Sequence, residues 1–182
     1  ITFSTSVGGK CLGAYPGSAY ICGKREAYET LTPAMGKNVY LNLAKHYDNA
    51  VKHNQTPNTP NVNLFWALNQ ALTNILEEGV ENQVARYEEC AGILRKGMED
   101  MGLKLLLQEN RANTVTSVFL PEGKAAKLDE FLVKLEDKGY VVYSGKGKYV
   151  EMGMFQVANM GEIYPADCEK FLEVLKETID EL

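Results

Sequence analysis

Between residues 80 and 101 the side chains Val80, Val84, Tyr87, Ala91, Leu94, Met98 and Met101 recur at alternating steps of four and three. That spacing places them on one face of an α-helix. Gly102 follows, the residue type that most readily closes a helix. The pattern predicts about six uninterrupted turns, and an apolar stripe of that length must lie on something. A coiled-coil partner is one solution, and the helix's own domain is the other. Only Gly79 separates this stretch from a second apolar helix, so packing within the domain is the expected outcome.

That second helix is read from Leu64, Phe65, Ala67, Leu68, Ala71, Leu72, Ile75 and Leu76, a stripe wide enough to predict burial on most sides. Ahead of it the sequence HNQTPNTPNVN, residues 53–63, carries two prolines and four asparagines and predicts a loop. Residues 39–52 place Tyr40, Leu43, Ala44, Tyr47 and Ala50 at helical spacing, and residues 26–31 form a short helix stopped by Pro33. The opening alternates as two strands, 1–6 and 18–22, around a turn rich in glycine.

Beyond Gly102 the period changes. KLLLQ (104–108), TVTSVFL (114–120), YVVYS (140–144) and MFQVA (154–158) read as strands. Residues 127–138 and the segment that opens at Pro165 read as helices. The sum after residue 80 is an α+β module, with a small antiparallel or mixed sheet and helices on one face. Two regions are expected, 1–79 and 80–182.

Charge narrows the partners. The 182 residues carry a net charge of -5 and no lysine–arginine cluster, so no broad footprint for nucleic acid or anionic lipid exists. No apolar run reaches the ~18 residues of a membrane span, and ITFSTS does not have the form of a signal peptide. Cys11, Cys22, Cys90 and Cys168 show no CxxC pair, which points to free thiols in a reducing, cytoplasmic setting. His46 and His53 have no partners at ligand spacing, so no metal site is expected.

Lys10 is the candidate reactive group. It follows a strand and the pair Gly8-Gly9, which lets a flat ligand approach the backbone. A Gly-Gly-Lys run also suggests a phosphate loop, but a Walker motif requires Ser or Thr after the lysine. Cys11 stands there instead. Taken alone, Lys10 reads first as a solvated loop lysine.

The segment VGGKCLGAYPGSAYI resembles the Schiff-base lysine segment of the class V aminotransferases, enzymes that use pyridoxal 5'-phosphate (PLP). Four further segments resemble the same family in order: QTPNTPNVNLFWAL, LEEGVENQVARYEECAGILRKGMEDMGLKLL, KGYVVYSGKGK and FQVANMGEIYPADCEKFLEVL. The likeness is greatest to 2-aminoethylphosphonate–pyruvate transaminase, with alanine–glyoxylate and serine–pyruvate aminotransferases close behind.

The resemblance implies the C-terminal portion of a fold type I enzyme: the end of the large α/β domain, then the small α+β domain. It implies that Lys10 holds PLP and that Thr56, with Thr59 as second choice, binds the cofactor phosphate of a neighbouring subunit in a homodimer. The substrates would be a small amine and a keto acid. The family places an arginine for the substrate carboxylate where this chain has Gln156; Lys146 is expected to supply the missing charge, with Lys148 or a residue ahead of Ile1 as the alternatives. The family also places the carboxylate for the pyridine nitrogen ahead of Ile1, so the chain is expected to begin mid-domain. Two other readings remain at this point: a cysteine desulfurase of related fold, which needs a mobile nucleophilic thiol, and a fragment without catalytic activity.

Overall fold

A computed structural model describes residues 1–182. The chain divides into two compact units, Ile1–Thr73 and Asn74–Leu182. No helix is long and apolar enough to cross a membrane.

The first unit opens with strands β1 (Phe3–Val7) and β2 (Ala19–Gly23), an antiparallel hairpin in register Phe3↔Gly23 to Val7↔Ala19. The short helix α1 (Arg25–Glu29) follows. Its Tyr28 ties the unit together: the ring stacks on Tyr47 at 4.9 Å and meets Phe3 edge-on at 5.0 Å. The hydroxyl donates to Ile21 O at 2.8 Å.

Helix α2 (Leu43–His53) starts four residues later than the apolar spacing from Val39 implies. Asn38 Oδ1 accepts the Tyr40 and Leu41 amides, a local turn that competes with helix. Buried Asn42 then caps the helix by accepting from Lys45 N at 3.2 Å while donating to Pro33 O at 2.9 Å. Helix α3 (Val62–Glu78) is long, as its stripe predicts. Its burial differs from expectation. Only Ala71 and Ile75 are buried, while Val62, Phe65, Trp66, Leu72 and Leu76 are exposed. Helical spacing reports a helix, but burial requires a covering layer, and nothing in this chain covers that face.

Gly79 separates α3 from α4 (Val80–Asp100) with φ 90°, and Gly102 with φ 77° ends the last turn. These are backbone conformations that glycine adopts without a Cβ clash. From Tyr87 onward the predicted stripe is buried against its own domain: Tyr87, Ala91, Leu94 and Met98 are inside, whereas Val80 and Val84 are exposed.

A four-stranded antiparallel sheet follows in the order β3 (Lys104–Leu105), β4 (Val115–Phe119), β6 (Met154–Ala158), β5 (Tyr143–Ser144). β6 has the bounds its alternation predicts. β3 and β5 hold only two residues each of the runs KLLLQ and YVVYS, because the ladder with the neighbouring strand extends over just two residues of each. Helices α5 (Leu128–Asp137) and α7 (Pro165–Asp180) join α4 over one face. Leu94, Phe131, Leu135, Phe171 and Leu175 meet Leu105, Val118, Phe155 and Val157 in one core, with the Phe131 and Phe155 rings 4.7 Å apart. Truncating any of these leucines to alanine is expected to cost about 2–5 kcal/mol. The short helix α6 (Lys148–Glu151) was not foreseen. It removes Lys148 from the flexible loop that the glycines around it suggest.

Candidate active site

Lys10 sits at the turn of the β1–β2 hairpin. The turn is folded back on itself: Gly8 N donates to Ser18 O, Ala14 N to Gly8 O and Gly13 N to Lys10 O. A Cβ on Gly9 would lie 2.8 Å from Pro16 Cα, and one on Gly8 would lie 2.8 Å from Ser18 Oγ. Both glycines are therefore set by close packing of the turn. Ser18 Oγ is buried there with no hydrogen-bond partner. Lys10 itself is exposed. Its ammonium makes no ion pair or hydrogen bond within the chain. A lysine without partners on a pinned turn can reach a carbonyl carbon, which it attacks once the ammonium has given up its proton.

Thr56 and Thr59 lie in the exposed loop between α2 and α3. The Thr56 hydroxyl donates to Asn58 O at 2.7 Å, so its proton is already committed. Thr59 has no partner within the chain, which makes it the readier donor to an incoming anion.

In the second unit, Gln156 is half-buried on β6. The register aligns it with Ser117 on β4 and Tyr143 on β5. It also lines a crevice of about 200 Å³ with Tyr143, Asn159, Asp167 and Phe171, to which no cation contributes. Lys146 is exposed and stands outside that crevice. Lys148 is the first residue of α6, with its ammonium 5.5 Å from the Tyr149 ring centre.

Reasoning from sequence missed the residues that hold the loop after β6. Arg86 on α4 donates from Nε and Nη2 to the two carboxylate oxygens of Glu78, at 2.7 and 2.9 Å, and Nη1 donates to Gly161 O and Ile163 O. Its hydrogen bond to Glu78 raises the guanidinium's pKa and holds the carboxyl below its usual range. Asn159 is fully buried and donates to Tyr87 O and Asn113 O, while Gly161 N donates to the Tyr87 hydroxyl. The available signal was an arginine flanking the buried stripe of a long helix, which is ordinarily read as a solvated charge.

The cysteines separate by environment. Cys11 and Cys22 are exposed, Cys90 and Cys168 are buried. Burial, and then Cys90 beside it, pushes the Cys168 thiol up to about 12. Cys90 is likewise raised, by burial first. Neither is the thiolate that desulfurase chemistry requires. No group of three or more His, Cys, Asp or Glu side chains converges as a metal site would require.

Comparison with known proteins adds the decisive observation. The chain is 40% identical over 154 residues to an uncharacterised aminotransferase of Methanocaldococcus jannaschii, covering 84% of this chain and 40% of that protein. It is 30% identical over 185 residues to a 2-aminoethylphosphonate–pyruvate transaminase of Vibrio cholerae, covering 98% of this chain and 49% of that one. The chain is related to the class V aminotransferases. No family model matches it. The fold agrees with the relationship: a solved alanine–glyoxylate aminotransferase from Nostoc superposes with a TM-score of 0.83 at 24% identity, over 98% of this chain and 48% of the other. The architecture is that of the C-terminal portion of fold type I aminotransferases, and the chain spans less than half the length of these relatives.

PLP is the cofactor that this aminotransferase relationship brings with it. The donors of the first unit suit it chemically. An unpaired amine on Lys10 matches the aldehyde, and the Thr59 hydroxyl matches a phosphate oxygen.

Proposed function

We propose that Lys10 is the lysine that holds PLP in a transaminase, and that the reaction moves an amino group from 2-aminoethylphosphonate, or a similar small amine, to pyruvate. The observation that carries the reading is the exposed, unpaired Lys10 on a turn whose glycines admit no Cβ. PLP, when bound, supplies the electron sink that makes a C–H bond beside nitrogen acidic. The rest is work for this chain. The Lys10 amine would hold the aldehyde carbon, whose oxygen leaves as water, and, once released, would move one proton between the substrate carbon and the cofactor. Thr59 or Thr56 donates to the phosphate, in a homodimer where each loop serves the partner's cofactor. Gln156 orients the keto acid through its amide, and Lys146 supplies charge to the carboxylate. The four cysteines form no disulfide, which supports a reducing, cytoplasmic setting.

The test is to mix the chain with less than one equivalent of PLP, reduce with borohydride and map the pyridoxyl mass by peptide sequencing. Lys10 is expected to carry most of the label. Even labelling across the exposed lysines would exclude it. In a protein of the relatives' full length that carries this chain, pyruvate-dependent consumption of 2-aminoethylphosphonate tests the substrate pair separately.

A further inference from the structure

Beside α4 and the start of β4, beyond its two-residue pairing with β3, lies a second cavity of about 160 Å³, lined by Arg95, Leu107, Arg111, Val115, Thr116 and Ser117. It contains two permanent positive charges, because an arginine side chain does not give up its proton. Arg95 is 8% exposed. It spends its donors on neutral acceptors: Nε on Thr116 Oγ1 at 3.3 Å, Nη1 on Asn113 Oδ1 at 3.5 Å and Nη2 on Ala112 O. Arg111 differs, since its Nη1 is buried and has no acceptor at all. Neither guanidinium has a carboxylate within ion-pair distance.

The charges also act on each other. Burial first, and Arg111 second, disfavours the charged form of Arg95. Glu99, one turn further along α4, acts in the opposite sense without bonding to either arginine. A buried charge without a counter-ion is costly, and so is a buried donor without an acceptor. One ligand answers both demands.

We propose that Arg95 and Arg111 frame a binding site for a small oxyanion of the phosphate or carboxylate type. Its oxygen takes the unpaired Nη1 donor of Arg111, and its charge offsets the two guanidinium groups. Thr116, which accepts from Arg95, retains its own hydroxyl proton to donate. A water molecule would satisfy Nη1 but leave the charge unanswered. The site is independent of Lys10, because every lining residue belongs to the second unit. Ser117 is nonetheless a wall of this cavity and the hydrogen-bond partner of Gln156.

The experiment is calorimetric titration of the 182-residue chain with inorganic phosphate and, separately, with acetate, at ionic strength matched with sodium chloride. One saturable site is expected. Arg111→Gln should weaken it by about tenfold or more, the scale of one charge-assisted bond. Arg111→Lys should fall between, because it keeps the charge and loses the planar fork. Arg111 makes no internal side-chain bond, and circular dichroism confirms that the variants retain the fold. Tighter phosphate than acetate assigns the site to phosphate-type anions, and the reverse order to carboxylates. Absence of saturable binding by either anion, or equal affinity in Arg111→Gln, would overturn the proposal.

Discussion

Gln156 reaches from β6 to β4 and donates its side-chain amide to Ser117 Oγ at 3.0 Å. The bond uses one of the two amide N–H groups and leaves the second, with the amide oxygen, for a ligand. A neutral glutamine in this state offers a carboxylate one uncharged donor and no charge to pair with. Under the proposed function, Gln156→Arg is therefore expected to lower the KM for the keto acid, by about tenfold if one charge-assisted bond forms. Lys146→Ala is expected to raise it by a similar factor. Steady-state kinetics on a protein of the relatives' full length that carries this chain read both, and an unchanged KM in the two variants would sink both assignments.

Arg86 and Glu78 give a prediction about stability and its pH dependence. The Arg86 side chain is 11% exposed and holds Glu78 together with the Gly161 and Ile163 carbonyls. Arg86→Ala leaves those acceptors unpaired, and a loss of about 3 kcal/mol is expected in urea unfolding. The Glu78 pKa is lowered from 4.5 by its bond to Arg86. Its contribution is thus fully present above pH 4.5 and is lost as pH falls through the lower folded value. The stability gap between wild type and Glu78→Gln should be widest above pH 4.5 and close below it. A gap that widens in acid would contradict the pairing.

The cysteines predict a labelling pattern. Cys11 and Cys22 are exposed, while burial keeps Cys90 and Cys168 protonated. Iodoacetamide at neutral pH is expected to modify the first two within the time that the native fold survives, and all four in urea. Rapid native alkylation of Cys168 would mean that the α4–α7 packing is wrong.

Lys10 and the threonine loop predict complementation. If each loop serves the partner's cofactor, dimers formed from a Lys10→Ala protomer and a Thr56→Ala/Thr59→Ala protomer contain one intact site. Mixing two inactive variants of a protein of the relatives' full length that carries this chain should then restore up to about half the activity per exchanged dimer, by the two-fold symmetry of such an interface. Exchange shown by mass spectrometry without any recovery would place Lys10 and the threonines in the same subunit's site.

Helix α4 and strand β6 were legible from the residues alone, because their apolar periods reflect local geometry and survive without knowledge of any neighbour. The hairpin around Gly8 and Gly9 was legible for the same reason. The resemblance to aminotransferases also lay in the linear order of segments such as VGGKCLG and FQVANMG, and the relatives bear it out.

Other features depended on what lies across space. YVVYS and KLLLQ have the composition of full strands, yet a residue counts as strand only where a neighbour completes the ladder, and each run finds one for two residues. The stripe on α3 foretold a helix but not its exposure, since burial belongs to the covering layer. Arg86, Arg95 and Arg111 look alike in sequence. Only tertiary packing gives the first a carboxylate, the second a set of neutral acceptors and the third a buried donor with nothing to bind. A charge acquires its role from the groups that surround it, and those are brought together by the fold.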